Sequence, residues 1–290
     1  MSRRVLLGMS AIGAAATGAF FSRVRAQAPD VGAQPKGQDE LRKSVSYRKM
    51  MAALPYERTT VPGAEALAEW ERLRAGNSGW PVVVGDDDSL ARIAEQFSID
   101  DPAVFGRSPI PMPSPRSPEA ILKLAAKIRF PDDLQDWGGA YSAEDLLAPQ
   151  GEWPADMAEH GTDAAVGLTV ATDLAGKVLD RVHLLRTPAR LSWEVPAYLR
   201  WGDWNACPPP EYHVAALRLW HERYGAELVG INGDTMNVRV RRRPATREEA
   251  MDLARQLYGY CPDIVDQGVG TLSALAATLM TSDWWFFWWD

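Results

Sequence analysis

The stretch Trp201–Asp290 reads WGDWNACPPPEYHVAALRLWHERYGAELVGINGDTMNVRVRRRPATREEAMDLARQLYGYCPDIVDQGVGTLSALAATLMTSDWWFFWWD, and its patterning decides the fold. Pro209-Pro210-Glu211 opens a helix, because proline in the first turn gives up an N–H that has no helical partner anyway. Gly225 closes that helix in a left-handed conformation. Along it His213, Val214, Leu217, Trp220, His221 and Tyr224 fall on one face, and Arg218, Glu222 and Arg223 on the other. Glu227–Ile231 and Met236–Arg241 read as strands joined at Asn232-Gly233-Asp234, a strong hairpin turn. In the second strand Met236, Val238 and Val240 alternate with Asn237, Arg239 and Arg241, which predicts one core face and one basic face. That basic face either meets an acidic partner or serves as a solvated, aggregation-resistant surface. Thr246-Arg247-Glu248-Glu249 is a capping box for a helix that ends at Cys261-Pro262. A third helix spans Thr271–Met280. The run from Trp284 to Trp289 is too aromatic to leave in water and reads as a last strand with rings on both faces.

Working outward, Trp80–Gly85 is a short buried strand, and Asp86-Asp87-Asp88 follows it. Carboxylates there cap the helix Ser89–Phe97 and complement its dipole. The competing reading, a phosphoryl-transfer motif of the haloacid dehalogenase kind, fails because Leu90 stands where that motif needs Thr or Val. Helices are predicted over Leu41–Leu54, Gly63–Arg74 and Pro118–Phe130, with a short one opened by Ser142-Ala143-Glu144-Asp145. Strands are predicted over Val166–Val170 and Val178–Leu185. Six prolines between residues 102 and 118 make a rigid connector, with an SH3-type ligand as the alternative. His160 and His183 stand outside any metal-ligand spacing and read as structural. The fold class is α+β: a mostly antiparallel sheet with helices packed on it, ending in a helix–hairpin–helix–helix–strand module. The segments are a leader at 1–28, a linker and helix at 29–60, an N-terminal α/β region at 61–200 and the C-terminal domain at 201–290. The region 61–200 either adds strands to the same sheet or stands as a separate domain.

The first 28 residues hold four arginines and no acid, so without them the formal charge moves from −7 to −11. An acidic protein lacks the basic footprint that nucleic acid requires. Ser2-Arg3-Arg4-Val5-Leu6-Leu7, an apolar segment to Phe21, and Ala26-Gln27-Ala28 follow the order of a twin-arginine export signal. The expectation is a periplasmic or secreted protein with no stable membrane span once processed. The alternative is a cytoplasmic protein with a surface N-terminus.

The order of residues in the C-terminal block is similar to the bacterial domain-of-unknown-function family numbered 4253. The resemblance lies in Trp204-Asn205, Cys207-Pro208-Pro209-Pro210-Glu211, and the run from Leu219 to Glu227. It continues through Arg247-Glu248-Glu249-Ala250, Tyr260-Cys261-Pro262-Asp263-Ile264-Val265, Gly268 and Trp288-Trp289-Asp290. It implies a compact α+β module and brings no activity with it.

Two classes of function stay open. One is a non-catalytic binding or interaction module, immunity- or inhibitor-like toward a protein, or a binder of cell-envelope glycans through tryptophan. The other is a hydrolase whose candidate groups are His213, His221, Asp234, Asp263 and Asp266. In it Cys207 or Cys261 would be the nucleophile, paired with His213 or His221. Trp204, Trp220, Tyr224, Gln267 and Asp290 are candidates for ligand contact. The spacing of Cys207, His213, His221 and Cys261 does not make a closed zinc motif, and no metal or cofactor is implied. Given export, Cys207 and Cys261 are expected to pair as a disulfide.

Overall fold

The computed structural model describes residues 45–105, 117–142, 144–155 and 167–290. The export signal, the linker, most of the proline-rich run and His160 lie outside the described residues.

Helix α1 (Val45–Ala53) leads into strand β1 (Glu57–Val61), helix α2 (Ala66–Ala75) and strand β2 (Trp80–Gly85). Helix α3 (Asp87–Ser98) follows, and Asp86 caps it by accepting from the Ser89 N–H at 2.9 Å, so the acidic triplet works as a helix start. A short helix α4 (Pro102–Phe105) comes next. Helix α5 (Pro118–Ala125) is capped by Ser117. It stops five residues short of the predicted end at Phe130, because the Lys127 and Ile128 N–H groups fold back three residues, to Leu124 and Ala125. Strand β3 (Val182–Thr187) and helix α6 (Val195–Leu199) precede the C-terminal block. That block holds α7 (Pro210–Tyr224), β4 (Glu227–Ile231), β5 (Thr235–Arg239), α8 (Arg247–Tyr260), a π-helical turn at Ile264–Val269, α9 (Leu272–Thr281) and β6 (Trp284–Trp288). Thr246 accepts from Glu249 N–H, while the Glu249 carboxylate accepts from Ala245 N–H, one residue earlier than a regular capping box.

One mixed sheet of six strands runs β1-β3-β2-β4-β5-β6. All neighbours are antiparallel except β2 and β4, which run parallel through Val83 and Gly230. Three strands come from before residue 201 and three from after it, so both halves of the chain build the same sheet. Every residue of β2 and β4 is buried, as expected for central strands covered on both faces. Helices α2 and α3 pack on β2, and α8 packs along α9.

Three expectations are corrected. The strand expected at Val166–Val170 is not found over its described part, residues 167–170: Thr169–Ala171 forms a 3-10 turn lying across β2, β4 and β5. Its Val170 N–H is taken by the Asn237 side chain at 3.0 Å instead of by a neighbouring strand. A Cβ on Gly230 would come within 2.6 Å of Val170, so glycine is what admits this close approach. In consequence Asn237 is buried, while Arg239 and Arg241 on the same face stay largely exposed. Moreover β5 is an interior strand, with β6 outside it. Finally, Ser142 and Asp145 close a hydrogen-bonded turn and open no helix. The terminal strand stands as predicted: Trp285, Phe287 and Trp289 are buried, and Trp284, Phe286 and Trp288 are half-buried on the other face.

Candidate functional site

The two residue types that first suggest chemistry, cysteine and histidine, meet at the start of α7. His213 is fully buried in its first turn. Its Nδ1 lies 2.5 Å from the Tyr260 hydroxyl and its Nε2 lies 3.4 Å from Cys207 Sγ. The rings of Trp201 and Trp289 close around it, with centroids at 4.8 and 5.4 Å. Burial pushes the Tyr260 phenol well up, so it keeps its proton and donates it to Nδ1. The ring hydrogen then sits on Nε2, the nitrogen that faces Cys207, with the Pro208 carbonyl also hydrogen-bonded to His213. His213 therefore offers Cys207 an N–H and no lone pair. Burial also raises the Cys207 thiol well above its ordinary range and pushes His213 down to about 3. A neutral thiol beside a neutral imidazole is the reverse of the thiolate–imidazolium pair that makes cysteine reactive.

The backbone next to this cage is equally closed. Gly202 has a φ of +115°, and a Cβ there would meet the Pro208 carbonyl oxygen at 2.2 Å and His213 Nε2 at 2.7 Å. Gly202→Ala is expected to destabilise the fold by at least about 2 kcal/mol, since both the dihedral and the space are unavailable to alanine. Denaturant titration checks this; an unchanged midpoint would show that the cage can open.

The disulfide expected between Cys207 and Cys261 is absent, and both are buried free thiols. Each has its own hydrogen-bond partner instead: Cys261 Sγ donates to the Trp288 carbonyl at 3.0 Å, and Cys207 faces His213. The Cys261 thiol is also raised by burial.

The remaining candidates do not converge. His221, half-buried, bonds through Nδ1 to the Ala226 carbonyl at 3.0 Å, tying the end of α7 to the chain that follows. Asp263 accepts from Gln267 Nε2 at 2.9 Å and from the Asp290 backbone N–H at 3.1 Å, while Asn205 Nδ2 donates to the Asp290 carbonyl. These residues anchor the C-terminus. Asp266 accepts from the Tyr258 hydroxyl, and burial pushes its carboxyl upward. Asp234 accepts from its neighbour Thr235. Trp204 sits edge-on to Trp201, and Trp220 and Tyr224 belong to the core. The structure thus brings together Cys207 with His213, and Asp263 with Gln267 and Asp290. No hydrogen bond joins His221 to Asp263 among the described residues. All twelve tryptophans are buried or half-buried. No group of His, Cys, Asp and Glu able to hold a metal ion occurs among the described residues, and no described helix is long and apolar enough to cross a membrane.

Two features escaped the sequence. The first is a groove of about 520 Å³ lined by Glu71, Arg74, Glu227, Arg239, Arg241 and Asp283. Glu227 Oε1 receives both Arg74 at 2.5 Å and Arg241 at 2.8 Å, and Arg239 pairs with Glu71 at 2.8 Å. Arg241 and Arg239 remain largely exposed, at 67% and 43% of their side chains. The alternation of β5 put Arg239 and Arg241 in view; their partners, Glu71 on α2 and Glu227 on β4, could not be read from it. The second is His183, which lies between Thr60 of β1 and Asp87 of α3 and is paired with neither by any sequence spacing.

Fold and site together define an α+β protein whose central histidine face is packed shut and whose charged groove is open. Residues 183–290 match the model of a family described as Domain of unknown function (DUF4253), a match confined to the C-terminal part of the chain. No curated protein and no solved structure matches the chain.

Proposed function

We propose that this protein is a non-catalytic interaction module that holds a protein partner, and that it works outside the cytoplasm after export by the twin-arginine route. The observation that carries the first part is the packed histidine face. His213 is caged by Cys207, Tyr260, Trp201 and Trp289, and His221 caps its own helix, so neither is placed to take a substrate proton. A protein partner is favoured over a glycan because no tryptophan stands exposed. The docking surface is the groove between α2 and the β4–β5 hairpin, where arginines and carboxylates alternate. Charges of both signs at a rim set partner choice and association rate more than raw affinity. Export rests on Arg3, Arg4 and the apolar segment behind them.

The test is capture from the cell envelope with the full chain, beside an Arg239→Glu/Arg241→Glu double variant. The expected result is one reproducible partner whose affinity falls about tenfold or more in the variant, with its unfolding midpoint measured alongside because Arg241 also neutralises the buried Glu227. Equal recovery by both proteins overturns the groove as the docking surface. A protein found only at full length in the cytoplasm overturns export.

A further inference from the structure

We infer that Thr60 is a nucleophilic threonine, activated by His183 and Asp87, that accepts an acyl group from an uncharged activated ester. The three residues come from three elements and form one line. Thr60 and His183 are directly opposed across the β1–β3 ladder, with Thr60 Oγ1 2.9 Å from His183 Nδ1. On the other side of the ring, His183 Nε2 lies 2.7 Å from Asp87 Oδ1 in the first turn of α3. The second oxygen of Asp87 is ion-paired with Arg181.

The tautomer follows from this arrangement. Burial pushes the Asp87 carboxyl up, but His183 and Arg181 outweigh it and hold the group below its ordinary range. An ionised carboxylate only accepts, so Nε2 carries the hydrogen and donates it to Asp87. In the neutral ring Nδ1 is then left with its lone pair facing Thr60, whose hydroxyl is the donor. This is the opposite of the Cys207–His213 pair, where the imidazole presents its N–H. His183 is thus a positioned base, with a carboxylate behind it to stabilise the imidazolium that forms. Access differs along the line as such a relay needs: the His183 side chain is 5% exposed, while Thr60 stands exposed on strand β1.

The step balances without any further reactant. Thr60 Oγ bonds to the acyl carbon as its proton passes to His183 Nδ1. The carbon–oxygen bond to the leaving alcohol breaks, and that alcohol takes the proton from Nδ1. The products are the acyl ester of Thr60 and the free alcohol. The donor is uncharged because the Arg181–Asp87 pair leaves no net charge beside Thr60 to draw in an ionic one. This site shares no residue with the groove, and a Thr60 ester that persists is a stoichiometric modification, so it stands beside the non-catalytic interaction reading without depending on it.

The experiment incubates the full chain with p-nitrophenyl acetate and maps acetylation by peptide mass spectrometry. The expected product is a hydroxylamine-sensitive ester on Thr60, absent from Thr60→Val and retained by Thr60→Ser. In His183→Gln its rate of formation is expected to fall about 100-fold or more, the range for loss of a positioned base. Should His183→Gln melt early, Asp87→Asn takes its place, with a slowing of at least about tenfold expected. Acetylation confined to lysines, or a Thr60 ester formed as fast without His183 or Asp87, overturns the inference.

Discussion

Acidifying the protein from pH 6.5 to pH 4 is expected to cost on the order of 3 kcal/mol of stability through His213 alone. Burial lowers this imidazole from its ordinary 6.5 to about 3. Between those values the unfolded chain binds a proton at His213 and the folded chain does not. The unfolded state is therefore favoured as pH falls, and the stabilisation is intact only above about 6.5. Two carboxylates act at the edges of this window. Asp87 lies below its ordinary value, so its contribution is lost at still lower pH. Asp266 lies above its own, so it opposes the trend, stabilising the fold in acid and losing that as pH rises. The measurement is urea unfolding of the wild type and of His213→Gln across this range. The variant is expected to start lower, because Tyr260 and Cys207 lose their partner, but to show a flatter slope. Parallel slopes would show that His213 is solvated in the folded state.

The C-terminal block was legible because its signals are local. Pro210, Gly225, Asn232-Gly233 and Thr246 mark boundaries by their own backbone chemistry, and each lies where the sequence puts it. The aromatic run after Asp283 could only be a buried strand, since water is a poor place for six such rings. What failed were segments whose conformation is set from far away. The run around Thr169 has the apolar content of a strand, but Asn237 captures the Val170 N–H and holds it across the sheet. The cysteines looked like a staple because their loops bracket two helices, yet each thiol has its own partner, the Trp288 carbonyl for one and His213 for the other. His183 seemed isolated because Thr60 and Asp87 stand about a hundred residues upstream. The tautomer argument at either histidine needs both ring partners, and no spacing supplies those.

Replacing Trp220 with alanine is expected to cost about 4 kcal/mol, the range for a large buried aromatic whose neighbours cannot collapse into the void. Trp220 lies on α7 and is fully buried. It stacks on Phe287 of β6 at 5.3 Å and meets Tyr260 of α8 edge-on at 5.1 Å. Phe130 and Trp285 complete its shell at 5.4 and 5.8 Å. The residue therefore joins the first helix of the C-terminal block to its last strand and to the Tyr260 that holds His213. Its indole N–H has no acceptor among the described residues. Trp220→Phe removes that unpaired donor together with part of the ring, so the lost packing is partly offset by relief of the buried polar group. The phenylalanine variant is accordingly expected to lose less than half of what alanine loses. Chemical denaturation of both variants reads the two terms separately. Equal losses would mean that the N–H is satisfied by an ordered water and that packing alone decides. A loss below about 1 kcal/mol in the alanine variant would mean that the aromatic cluster rearranges around the gap, and that α7 is held to β6 by something other than this ring.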